Sequence, residues 1–289
     1  MVKIVENDYL KIAVKHHGAE LSSLIKKSTG TEYIWQADPT YWGRQAPILF
    51  PIVGRLQNDE FLVGTDKYTM KQHGLARNMN FELIKRNKTG LTFELVNSET
   101  TLKNYPYPFR LRLQYDLFED ALMVAYEVFN PSEAAMYFSI GGHPAFRCPL
   151  NQGEKRSDYQ LVFQYPEIAA TQRLDNGIRN GKKDLILDNE NTLPLTDTLF
   201  DEDALVFEKL ASETVSLQKG DTPIFTFNFK GFPYLGIWSK NRQSPFVCIE
   251  PWFGVADHQS HNQQFAQKEG VIKLGGGESF ESIYSVEIH

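Results

Sequence analysis

The chain has 289 residues, with 30 Lys and Arg against 36 Asp and Glu and a formal net charge of −6. That length suits either two domains or one large all-β unit, and no long basic run is present to neutralise a phosphate backbone, which argues against a nucleic-acid partner. Cys148 and Cys248 are the only cysteines and form no CxxC pair, so no disulfide framework is expected and both read as buried thiols.

The opening MVKIVENDYL has no basic region leading into an apolar core, and the longest apolar run, residues 121–126, is far too short to span a bilayer. A cytoplasmic protein without a membrane partner is the expectation. Asp38-Pro39-Thr40-Tyr41-Trp42-Gly43 reads as a short turn with an N-cap and a proline at the first helical position. Residues 80–85 and 91–96 flank the turn-rich stretch 86–90 as the arms of a hairpin. In residues 109–115 every odd position is apolar and every even one polar, the pattern of a strand buried on one face. A turn at 117–120 and the run 121–129 complete a second antiparallel hairpin.

Further strands are expected at 159–165, 205–210, 214–217, 224–229, 234–238, 246–249 and 280–288. The polar stretches 151–158 and 175–184 read as loops inserted between strands, and 262–268 as a second short helix ending before Gly270. There is no repeat, linker or long amphipathic helix. The expected architecture is therefore one all-β domain over residues 1–289, a large antiparallel β-sandwich with few short helices.

Four stretches carry strongly polar side chains beside glycine or proline at the ends of apolar runs: PIVGRLQND with Arg55, QHGLAR with His73 and Arg77, GGHPAF with His143, and CIEPWFGVAD with Glu250. Loop ends on a rigid sheet are where binding and catalytic groups tend to be carried. Gly141 and Gly142 allow positive φ or close approach, and Pro144 biases His143 toward an extended backbone, so the imidazole is presented from a stiff corner. Glu250 follows a buried strand directly and precedes Pro251, which places it at the mouth of that strand. If the strand is regular, Phe246, Cys248 and Glu250 share a face.

A histidine and a carboxylate can serve as a general acid–base pair, and arginine forks can orient ligand oxygens. Trp42, Trp238 and Trp252 offer flat apolar rings suited to the C–H face of a sugar, or to the core. The best metal-ligand spacing, Asp257-His258-Gln-Ser-His261, reads as a surface loop, and no metal is expected.

Taken in order, these stretches resemble the aldose 1-epimerase (galactose mutarotase) superfamily, especially its mutarotase-related and hexose-6-phosphate 1-epimerase branch. The resemblance runs from Gly18-Ala-Glu-Leu to Leu274-Gly-Gly-Gly-Glu-Ser-Phe280. It implies a galactose mutarotase-like β-sandwich and interconversion of the α and β anomers of an aldohexose by ring opening. His143 would protonate the ring oxygen and Glu250 would take the proton of the anomeric hydroxyl, with no cofactor. Arg55, His73 and an aspartate, Asp203, with Asp201 and Glu202 as its acidic neighbours, would hold sugar oxygens, with Trp252 beside them.

On this reading the glycine pair gives the sugar room to approach. HGLAR in place of a simple His-Gly pair leaves two uses for Arg77: with Arg55, a clamp on a 6-phosphate, or a partner for a nearby carboxylate. Two further classes are a glycosidase using Glu250 and Asp203, and a carbohydrate-binding protein without catalysis.

Overall fold

The alternation at residues 109–115 governs the larger of the two main sheets in the computed structural model, which describes residues 1–289. In the strand Arg110–Phe118, Leu111, Leu113, Tyr115 and Leu117 are buried while the residues between them face outward. It pairs with Ala121–Phe129 on one side and Gly90–Val96 on the other, so that Leu113 lies between Tyr126 and Phe93. On the outer face Arg112 reaches Glu94 at 2.7 Å and Glu127 at 3.2 Å, cross-strand ion pairs of opposite charge.

Nine strands make up this sheet, in the spatial order Ile178–Pro194, Gln160–Asp175, Thr214–Lys219, Thr222–Asn228, Ser279–Ile288, Ala121–Phe129, Arg110–Phe118, Gly90–Val96 and Glu82–Arg86.

Packed against it is a six-stranded sheet: Leu205–Glu208, Tyr234–Trp238, Phe246–Phe253, Ile140–Gly142 and Ile48–Leu49, with Ala145–Arg147 also paired to Phe246–Phe253. Pairing within both sheets is antiparallel, as a β-sandwich of this kind requires. Phe246–Phe253 shows no polar alternation because both of its faces are covered. Val247 and Ile249 join a core of 61 buried residues between the sheets, where Phe146 also meets Phe225 at a ring separation of 4.4 Å. Phe246 and Cys248 turn the other way, against Trp35, Ala145, Trp42 and Trp238.

The six-stranded sheet is interrupted at one level. Gly141 pairs with Trp252 and Ala145 with Cys248, so His143 and Pro144 fall between the two paired segments, opposite Ile249, Glu250 and Pro251, with the Pro144 carbonyl still accepting from the Ile249 N–H at 3.2 Å. Pro251 therefore does not end its strand, which continues to Phe253 and leaves Glu250 mid-strand and not at its mouth. A residue with no N–H is tolerated because the neighbouring strand is broken there. Gly141 and Gly142 lie in a strand with neither at positive φ. Their bare α-carbons instead admit side chains: a Cβ on Gly141 would stand 2.5 Å from Trp252 Cδ1, and one on Gly142 2.6 Å from the Tyr126 hydroxyl. The room they make is thus taken by protein, where the sequence suggested a sugar.

A second correction concerns residues 175–184. They are not an inserted loop but the tip and one arm of a long hairpin, Gln160–Asp175 and Ile178–Pro194. Asn176 and Gly177 both take positive φ at its turn, the Asn-Gly signature of a tight hairpin. The arm beyond it is solvated, so its polar composition imitated a loop. Residues 38–43 do form a turn, with the Asp38 carboxylate accepting from the Thr40 N–H at 2.9 Å. The segment 262–268 contains only the 3-10 turn Phe265–Gln267, while a short helix at Glu99–Asn104, capped by Ser98, was not foreseen.

Adding a methyl at Gly141 should be costly, because its nearest neighbours are an indole carbon and, at 2.9 Å, the Pro251 carbonyl. Gly141→Ala should lower stability by about 1–3 kcal/mol, read from the shift in denaturant midpoint. An unchanged midpoint would show that Trp252 can move aside freely.

Candidate active site

Where the sheet is interrupted, His143 Nε2 lies 3.2 Å from Glu250 Oε2, and the two residues are only 7% and 1% exposed. They stand on the floor of a cavity of about 570 Å³. Trp42 stacks on the His143 ring at 4.8 Å, while His73 and Trp238 meet it edge-on, each at 5.6 Å. The imidazole is thus gripped on several sides, which fixes its plane and keeps water away.

Two backbone features hold His73. It takes φ +66°, beside Gly74 at +76°, where a side chain on Gly74 would collide with the Phe50 carbonyl at 2.2 Å. Its Nδ1 accepts from the Gly54 N–H at 3.2 Å, so in the neutral ring Nε2 carries the proton and acts as the donor.

Trp252 lies beside Glu250, with its ring passing over Gly236, where a Cβ would come within 2.6 Å of it. Of the three adjacent acidic residues, Asp203 lines the cavity. Asp201 is held by Arg242 at 2.9 Å, and Glu202 by Arg173 at 3.3 Å.

The arginines differ in their partners. Arg55 is paired with Asp59 at 3.0 Å and donates to the Asn176 carbonyl at 3.1 Å, so the hairpin tip is stapled to the cavity wall. Arg77 has no carboxylate partner; it donates to the Gln72 carbonyl at 2.6 Å. Burial pushes its pKa down to about 10, with the charge of Arg44 acting in the same direction.

Arg44 and Lys240 also line the cavity without a salt bridge, and neither was singled out in the sequence. Arg44 follows Trp42 by two residues, and its loop is pinned by Glu20, whose buried carboxylate accepts from the N–H groups of Gln45 and Ala46 at 2.7 and 3.1 Å. Gly18 of the same Gly-Ala-Glu-Leu stretch passes so close to the Arg77 carbonyl that a Cβ would lie 2.9 Å from it. No local pattern in the sequence marks such long-range support.

The Asp257-His258-His261 group stands apart from this floor. Asp257 is buried, accepts from the Gln57 N–H at 3.0 Å, and faces Lys268 Nζ at 3.5 Å, so an ammonium already occupies the cation position there. The remaining potential ligand cluster is His143, Cys248 and Glu250, whose ligand atoms lie within 4.8 Å of one another.

Burial sets the electrostatics of the floor. It drives the Glu250 pKa well above the ordinary value, with the Asp203 charge adding to the rise and the Trp252 indole opposing it. It also lowers His143 to about 3. Burial thus disfavours the charged form of both groups.

The architecture is that of the aldose 1-epimerase family. The family model described as aldose 1-epimerase matches residues 1–272, and the chain belongs to that family. Protein LacX, chromosomal, of Lactococcus lactis subsp. lactis is 35% identical, with 98% of each chain covered. The galactose mutarotase related enzyme of Lactobacillus acidophilus superposes with a TM-score of 0.96 at 35% identity, over 100% of this chain and 97% of that one. A galactose mutarotase-like protein of Lactobacillus casei ATCC 334 gives 0.93 at 31% identity, over all of both chains.

The depressed His143 pKa has a consequence for stability. In the unfolded chain the imidazole takes up a proton near 6.5, whereas in the fold it stays neutral down to about pH 3. Between those values the unfolded state binds the extra proton, so the native state loses stability as pH falls. His143→Asn should therefore lose less stability than the parent over that window, read as a melting-temperature difference that moves in the variant's favour from pH 6.5 toward 4. A pH-independent difference would contradict this.

Proposed function

We propose that the protein is an aldose 1-epimerase that interconverts the α and β anomers of an aldohexose, with His143 and Glu250 as the proton-transfer pair. The observation that carries this reading is the buried contact of 3.2 Å between an imidazole and a carboxyl group on the cavity floor. A glycosidase would work with two carboxylates, for which Asp203 is the available second, but Glu250 faces the imidazole of His143 instead, and a non-catalytic sugar-binding protein would have no use for a desolvated acid–base pair.

In the proposed cycle Glu250, as carboxylate, takes the proton from the C1 hydroxyl while the His143 imidazolium protonates the ring oxygen. The ring opens to the free aldehyde, the C1–C2 bond rotates, and closure on the other face reverses both transfers. A neutral imidazole beside a protonated carboxyl and the ion pair needed for attack contain the same protons and differ only in where one of them sits. Sugar hydroxyls then supply the polar contacts that favour the ion pair.

His73, through Nε2–H, Asp203 and Arg55 line the cavity and would hold sugar oxygens, while the Trp252 and Trp42 rings would meet its C–H surface. Every step uses side-chain acid and base alone, so turnover should be unaffected by exhaustive chelation.

Glu250→Gln and His143→Asn each remove one proton transfer with little change of shape. Each should lower kcat for anomer exchange by about 10²–10⁴ while leaving the circular dichroism spectrum unchanged. Near parental rates in either folded variant would overturn the assignment.

A second substrate reading, a hexose 6-phosphate, has its own support: Arg44, Arg77 and Lys240 line the cavity and none has a carboxylate partner. Unpaired guanidinium groups are the donors a phosphate selects. On this reading Arg77→Ala lowers kcat/KM for glucose 6-phosphate about ten- to a hundredfold, the value of one charge-assisted hydrogen bond, and leaves free glucose nearly unaffected. An unchanged ratio of the two substrates would leave the free sugar as the substrate.

A further inference from the structure

We propose that the floor of the cavity is also a site for a thiophilic divalent metal, zinc above all, held by His143 Nε2, Cys248 Sγ and a Glu250 carboxylate oxygen, and that metal bound there shuts the pocket to substrate. The inhibitory half of this proposal rests on the epimerase reading above; the binding half does not.

The argument begins with spacing. Zinc takes nitrogen and oxygen ligands at about 2.0–2.2 Å in a tetrahedron, which separates two such ligands by about 3.3 Å. His143 Nε2 and Glu250 Oε2 stand 3.2 Å apart before any metal arrives. A thiolate at about 2.3 Å from zinc would lie about 3.6 Å from each of the other two ligands. Cys248 Sγ falls within 4.8 Å of a ring nitrogen of His143 and of a carboxylate oxygen of Glu250, so closing the triangle needs a shift of about 1 Å, within reach of a side-chain adjustment.

The strand supplies this arrangement directly. Cys248 and Glu250 are two residues apart on one face of Phe246–Phe253, and Ala145, two residues after His143, pairs with Cys248.

Glu250 Oε2, on a residue only 1% exposed, has no hydrogen-bond partner, and neither has His143 Nδ1. An acceptor left unsatisfied in a dry site is stabilised by a cation that comes to it. Charge closes as well: a zinc dication with one thiolate, one carboxylate and a neutral imidazole is neutral overall, after the thiol and carboxyl protons have left to solvent. A neutral complex is what a buried site tolerates. His143 and Glu250 line the cavity while Cys248 lies behind them, so the fourth position of the tetrahedron faces the opening, where water enters. The other histidine and aspartate group offers no rival, since Lys268 already faces Asp257.

Cobalt(II) is the probe, because a thiolate ligand gives it a charge-transfer band in the near ultraviolet. Titration of the purified full chain with cobalt should develop that band with a stoichiometry of one, and zinc should abolish it. Cys248→Ser and Cys248→Ala should both lose the band and bind zinc at least about tenfold more weakly, a loss that even an outer partner of a metal ligand can cause. Cys148→Ser and His261→Ala should keep it. In the same preparations zinc should inhibit anomer exchange, with full recovery on chelation.

Absence of a thiolate band in the parent protein, or its persistence in both Cys248 variants, would overturn the site. A band through Cys248 in a protein with no epimerase activity would uphold the metal site and refute the functional reading, so the two fail separately.

Discussion

The break in the six-stranded sheet at His143 and Pro144 is the constraint on which the site depends. A continuous strand there would pair its backbone with Ile249–Pro251 and hold its side chains in the regular alternation of the sheet. Because Ile140–Gly142 and Ala145–Arg147 pair with separate halves of Phe246–Phe253, the two residues between them leave the regular register, although the Pro144 carbonyl still accepts from the Ile249 N–H at 3.2 Å, and the imidazole can come within 3.2 Å of Glu250. Pro251 on the facing strand belongs to the same arrangement, since its missing donor falls where no acceptor is in register. Two prolines and two glycines thus serve one purpose. They end the pairing, and they let Trp252 and the Tyr126 hydroxyl lie against bare backbone.

Around this floor the electrostatics are layered. The pair itself is buried, and burial disfavours the charged form of each member. Above it the cavity wall is basic, although the chain as a whole carries −6. Arg55 is neutralised by Asp59 and tied to the hairpin tip, while Arg44 and Arg77 have only amide or carbonyl partners. A polar ligand reaching these groups would exchange water for preorganised donors, and little reorganisation would be needed when charge develops. The N-terminal residues serve this wall from outside, with Glu20 fixing the loop of Trp42 and Arg44 and Gly18 yielding to the Arg77 backbone.

The sequence was most readable where one face of an element meets water. The alternation at 109–115 marks its strand and its buried face because the outer residues are solvated. Phe246–Phe253 has no such contrast, and Pro251 suggested an end that only the broken neighbour makes unnecessary. The Asn176-Gly177 turn was present in the sequence, but its solvated arm concealed a strand of 17 residues.

Within the site, His73, Arg77, His143 and Glu250 stood out through their glycine and proline neighbours. Arg44 and Lys240 did not, because their place on the cavity wall comes from contacts between segments far apart in the chain. The reason for the glycine pair was misjudged for the same cause: what fills the space beside Gly141 comes from a residue more than a hundred positions away.

The most direct test of the account is anomer exchange followed by NMR on the parent protein with galactose, glucose and their 6-phosphates. The account predicts magnetisation transfer between the α and β signals of at least one of these sugars, at a rate proportional to enzyme concentration and far above that in buffer. Exchange indistinguishable from buffer for all four would contradict it.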